Sequence, residues 1–120
     1  MGSKVPITEV NAALMRIKTA VSYGKYNFVN RQKNLSSMAA AGLLPDHVKQ
    51  HILGLTYRQY LSGPEQETDS NFRPGDVYLF GLLIEGVEYY VKLKLVGQDG
   101  AEWCVCISFH PAERPLYYPY

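Results

Sequence analysis

Between Val87 and Leu95 the chain alternates between apolar and polar side chains. Val87, Tyr89, Val91, Leu93 and Leu95 fall on one side, and Glu88, Tyr90, Lys92 and Lys94 on the other. A period of two marks a strand with one buried face. A second alternation groups Trp103, Val105, Ile107 and Phe109 opposite Cys104, Cys106, Ser108 and His110. The connector Gly97-Gln98-Asp99-Gly100 carries turn residues, so Val87–His110 is predicted to form a β-hairpin. Asp76–Leu83 reads as a further strand, launched by Arg73-Pro74-Gly75 and turned into the hairpin by Ile84-Glu85-Gly86.

Upstream the spacing changes to threes and fours. Ile7, Val10, Leu14, Ile17 and Val21 predict an amphipathic helix over Ile7–Ser22, ended by Gly24. Lys25–Val29 reads as a connector, with an extended conformation open to it. Asn30 suits the N-cap of a second helix, Arg31–Ala41, with Leu35, Met38 and Ala39 inward and Gly42 as its stop. Arg31 and Lys33 occupy the end that the helix dipole disfavours for cations, so they are either solvated or used elsewhere. Pro45 and Asp46 open a third helix that buries Val48, Ile52 and Leu55. Thr56–Leu61 fits a short helix or a strand. Ser62–Asn71 is polar and rich in breakers, which predicts a loop. The tail, with Pro111, Pro115 and Pro119, is excluded from helix and central strand and is expected to pack on the sheet edge. The sum is an α+β architecture: N-terminal helices packed on the greasy face of an antiparallel sheet. Residues 7–120 form one domain, helical over 7–55, sheet over 74–110 and Pro/Tyr tail over 111–120. Residues 1–6 are expected to be flexible, and Met1-Gly2-Ser3 to be a cloning remnant.

A formal net charge of +1 on 120 residues gives no global pull toward nucleic acid, so any such binding rests on a local patch. No apolar run reaches the length of a membrane span, and no leader-like segment follows Met1–Lys4, so a cytoplasmic protein without membrane contact is expected. Cys104 and Cys106, two apart on a strand, read as small reduced side chains. Ten tyrosines against four phenylalanines suit either a binding surface or a half-buried sheet. Phosphate-binding glycine loops and serine elbows are missing, and no acidic cluster suggests magnesium. His47 and His51 have a spacing that can hold a metal but lack a third ligand, so neither metal nor cofactor is predicted.

Chemistry is left to the polar strand face: Tyr90, Lys92, Lys94, Ser108 and His110. Cutting RNA without a metal needs a base for the 2′-hydroxyl proton, a cation on the phosphate and an acid for the leaving 5′-oxygen. Histidine can move protons near neutrality, lysines supply charge, and tyrosine can stack or donate a hydrogen bond. Alternating lysines on an exposed strand also serve solubility and edge protection alone.

Several strings add to this reading. They are Ile52-Leu53-Gly54-Leu55-Thr56, Tyr60-Leu61-Ser62-Gly63-Pro64-Glu65, Arg73-Pro74-Gly75-Asp76-Val77-Tyr78-Leu79-Phe80-Gly81, Tyr90-Val91-Lys92-Leu93-Lys94-Leu95 and Cys106-Ile107-Ser108-Phe109-His110-Pro111-Ala112-Glu113, closing on Tyr118-Pro119-Tyr120. In this order they resemble bacterial type II toxins of the motility quorum-sensing regulator (MqsR) family, over about residues 30–120. The resemblance implies a RelE-like fold and a metal-independent endoribonuclease that cuts single-stranded messenger RNA. It also implies an antitoxin encoded by the neighbouring gene, with the toxin a monomer or an oligomer through that antitoxin. The family's strand tyrosine falls on Tyr90, with Lys92 two residues on. A basic residue after Ser-Phe becomes His110. A family lysine falls near Leu61 and a glutamine on Gly75, neither of which can replace it. The expected catalytic residues are therefore Lys92, Lys94, His110 and Tyr90, with Tyr78 and Arg114 as outer RNA contacts. The competing reading is a non-catalytic module that docks a partner through its sheet edge and tyrosine-rich tail.

Overall fold

The computed structural model describes residues 5–68 and 72–120; residues 1–4, with the expected cloning remnant, and 69–71 of the expected loop lie outside the described residues. In chain order the elements are α1 (Ile7–Ser22), β1 (Tyr26–Phe28), α2 (Gln32–Ala41), α3 (Pro45–Leu53), a 3-10 turn (Tyr57–Gln59), β2 (Tyr60–Gln66), β3 (Asp76–Ile84), β4 (Val87–Gln98) and β5 (Ala101–Pro111). The strands form one sheet in the order β1-β5-β4-β3-β2. It is an α+β fold, with the helices against one face.

Two local readings are corrected, and one left open between helix and strand is resolved. The connector at Lys25–Val29 contains β1, which pairs parallel to β5, so the sheet is mixed. Thr56–Leu61 divides: the Thr56 hydroxyl caps the 3-10 turn by accepting from the Arg58 N–H, and Tyr60 begins β2. Ser62–Gln66 of the expected loop is strand: β2 is an edge strand, where a proline is tolerated. Two register shifts interrupt its pairing with β3, one at Leu61 and one that spans Gly63 and Pro64. Gly63 has φ +115°, and a Cβ there would run into the backbone of Val77 and Tyr78.

On β4 the faces follow the alternation: Tyr89, Val91, Leu93 and Leu95 are buried in the core with Val10, Leu14, Ile17, Val48 and Ile52 of the helices. On β5 they do not. Lys94 pairs with Val105 and Leu93 with Cys106, but Lys92 pairs with Ser108. Ile107 is the extra residue of a β-bulge. Upstream of it, Cys104 and Cys106 point into the core and are fully buried, while Trp103 and Val105 share the open face with Val96 and Lys94. Beyond it, Ser108 and His110 return to the open face and Phe109 enters the core. The expected grouping of the cysteines with Ser108 and His110 is thus overturned by one inserted residue.

Asn34 of α2, fully buried, holds the bulge. Its Nδ2 donates to the carbonyls of Val29 (3.0 Å) and Ile107 (2.9 Å), and its Oδ1 accepts from the Phe109 N–H (3.0 Å). One amide side chain thereby continues the pairing of β1, past the point where that strand ends. The tail also departs from expectation. It crosses the open face instead of stopping at the edge: Tyr118 Oη donates to Glu88 (2.9 Å), and Leu116 and Tyr118 lie so close over Gly81 that a Cβ there would displace their side chains. The Tyr120 hydroxyl donates to the Val5 carbonyl.

Burial raises the Cys104 thiol to about 12, and raises Cys106 and the neighbouring Tyr26 phenol as well. The folded chain holds these protons more tightly than the unfolded chain. Their contribution is therefore complete below the ordinary thiol value of 9.0 and is lost as pH rises above it. Urea unfolding followed across alkaline pH should show stability falling from about pH 9 upward, and the folded protein should not react with a thiol reagent at about pH 8.

Candidate functional site

Tyr90, Lys92, Lys94, Ser108 and His110 share the open face, as expected, while Glu102, also on β5, faces α1 and pairs with Arg16. Tyr90 pairs with His110 and Lys92 with Ser108. The Tyr90 and His110 rings stack, with centroids 5.5 Å apart and planes 30° from parallel. His110 is 7% exposed, and its Nδ1 lies 2.9 Å from the Pro111 carbonyl. A carbonyl only accepts, so that bond requires the proton on Nδ1 and leaves Nε2 as the ring atom that can take one. Burial, and then the charge of Glu65, raise the Tyr90 phenol, which stays a neutral donor.

Lys92 sits diagonally across from His110, roughly 7–8 Å between side-chain bases in such a pair. It is half-buried and makes no hydrogen bond or ion pair among the described residues. Arg31 reaches in from the start of α2, which begins at Gln32 and not at Arg31, and donates to Ser108 Oγ (3.1 Å). Lys33 pairs with Glu113 of the tail. Both cations at the disfavoured end of α2 therefore have partners on β5 and the tail. Arg31 was missed as a site residue; its one sequence signal was that misplaced charge.

The structure separates the other candidates. Lys94 is on the open face but only 5% exposed; Glu67 pairs with it at 2.8 Å, and the Phe72 ring lies over its ammonium at 5.9 Å. It also lies two pleats from Tyr90, roughly 13 Å along the strand. Tyr78 points the other way: it is 6% exposed in the core, beside Arg16 of α1. Its expected place among the RNA contacts is corrected by strand parity, since Val77 and Leu79, not Tyr78, share a face with the lysines. Arg114 is exposed on the tail, where it and His110 both act on the Glu113 carboxylate. His47 Nδ1 accepts from the Leu44 N–H at 2.9 Å and closes the start of α3. His51 packs against Phe109. Among the described residues no three His, Cys, Asp or Glu come together as metal ligands.

Alongside the histidine pair runs a groove of about 650 Å³. Its floor is Val96, Val105 and Ile107. Arg31, Arg73, Lys92 and Lys94 face it, against one carboxylate among the described residues, Glu67. Tyr90 and His110 lie beyond its end, with Lys92 at the junction. Comparison with protein-family models, curated proteins and solved structures found no match for this chain. Among the described residues no helix is long and apolar enough to cross a membrane.

Proposed function

We propose that the protein is a metal-independent endoribonuclease, the toxin of a bacterial toxin–antitoxin pair related to the MqsR family, acting on messenger RNA in the cytoplasm. The observation that carries the reading is the His110–Tyr90 stack, with Nδ1 tied to Pro111, standing beside the ammonium of Lys92, which is unpaired among the described residues. His110 Nε2 takes the 2′-hydroxyl proton as the 2′-oxygen attacks phosphorus. The bond to the 5′-oxygen breaks, leaving a 2′,3′-cyclic phosphate and a 5′-hydroxyl. Lys92 carries the phosphate charge and gives a proton to the departing oxygen, with Arg31 beside it. The Tyr90 hydroxyl orients the strand. Lys94 is moved to a supporting role because Glu67 already answers its charge.

An antitoxin encoded by the neighbouring gene would silence the site. Long RNA incubated with the protein and EDTA should be cut, and expression in a bacterium should arrest growth unless Lys92 is replaced by alanine. The neutralised Lys94 favours the alternative, a non-catalytic module that docks a partner. That reading requires no cutting and tolerated expression.

A further inference from the structure

We infer that the groove beside His110 is a base-selective subsite for a short run of single-stranded RNA flanking the cut. Asn27 and Gln98, which stand opposite Val105 and Ala101 and so roughly 13 Å apart along the strands, each read the edge of a different base, and Val96, Val105 and Ile107 support the base faces. This rests on the nuclease reading above and goes beyond it.

The stacked pair that would do the chemistry does not line the groove, so the groove has binding to do, not proton transfer. Among the described residues its charge is lopsided: Arg31, Arg73, Lys92 and Lys94 against Glu67, in a chain of net charge +1. A simple anion would need no apolar floor, and a lipid or apolar peptide would need no such cations. A flat apolar ring attached to a phosphodiester needs both. The floor itself depends on the bulge, which leaves Ile107 on the open face next to Val105. Phe72 forms a wall. Asn27 on β1 and Gln98 at the end of β4 also line the space, and neither side-chain amide has a hydrogen-bond partner among the described residues. A side-chain amide offers a donor and an acceptor together, the pattern that tells one base edge from another. Lys92, at the junction, would hold the phosphate shared between subsite and cut.

The test uses fluorescent 2′-O-methyl tetranucleotides of A, C, G or U, which cannot be cut through the 2′-oxygen, titrated onto the full chain by anisotropy. The wild type should favour one base by about tenfold or more, the usual size of a good amide–base contact. Asn27→Ala with Gln98→Ala should level the four affinities. Gln98→Glu, which removes the donor, should move preference toward cytosine. The proposal is overturned by no binding, by equal binding of all four to the wild type, or by a preference that survives both substitutions. It is overturned equally by an acidic peptide of matched charge that binds as tightly as the favoured tetranucleotide. Cleavage of long RNA is scored separately. Selective binding without cutting keeps the subsite and removes the nuclease; cutting without base-selective binding does the reverse.

Discussion

Replacing Asn34 with leucine should cost about 4 kcal/mol of folding stability, read as a lower urea midpoint with an unchanged slope. The side chain is fully buried and serves three backbone groups. The Val29 carbonyl keeps a second donor, the Arg31 N–H at 2.9 Å. The Ile107 carbonyl and Phe109 N–H lose this partner inside the protein, at roughly 1–3 kcal/mol each, and the polar amide is replaced by a branched apolar group of different shape. Asn34→Asp separates hydrogen bonding from volume. A carboxylate still accepts from Phe109 but faces two carbonyl oxygens. Its pKa in the folded chain is therefore raised, and stability should be greater at about pH 4 than at neutrality, with loss as pH rises through that pKa. The bulge supplies a second readout. If β5 regularises without the clamp, either Cys104 and Cys106 turn outward and react with a thiol reagent in the folded protein, or Ser108 and His110 turn inward. Wild-type stability and thiol inertness in Asn34→Leu together would refute the clamp.

That clamp also marks where reading the chain stops. The stripes of α1 and α3 and the faces of β4 were legible because each residue's side is set by local periodicity; on α2, Leu35 and Ala39, expected inward, are exposed, and Asn34 is buried beside Met38. The sides of Cys104 and Cys106 were not. A bulge preserves alternation on each flank and shifts the phase once, so Trp103–His110 looks continuous while its halves face opposite ways. Nothing local reveals the shift, because the group that stabilises it is an asparagine over seventy residues away. His110 and Ser108 were placed on the polar face through an unbroken alternation from Cys104. They are on that face, but only because the phase changes at Ile107. Strand parity, applied to Tyr78, would have removed it from the surface group: it is one residue from Val77, which pairs with Lys94. Burial of Lys94 depended on Glu67 folding over from the edge, and Arg31 on α2 meeting β5; both are tertiary events.

His110→Ala should lower single-turnover cleavage of long RNA by about a thousandfold, within the roughly 10²–10⁴ that positioned proton transfer supplies. Lys92→Ala should lower it by about a hundredfold or more, the usual consequence of removing one charge-stabilising donor from a developing oxyanion. The two act on one transition state, so the double variant should lose little beyond the worse single one. Lys94→Met should be milder, within about tenfold, since its ammonium is engaged by Glu67 and lies along the groove, away from the stacked pair. Its loss should appear in binding, by weakening RNA affinity and its salt dependence, and not in the chemical step. Cleavage that survives His110→Ala would remove the imidazole from the reaction. An effect of Lys94→Met as large as that of Lys92→Ala would move the reacting phosphate into the groove. The ranking is therefore a measurement of where the scissile bond sits: at the stacked pair when Lys92 dominates, over the apolar floor when Lys94 does.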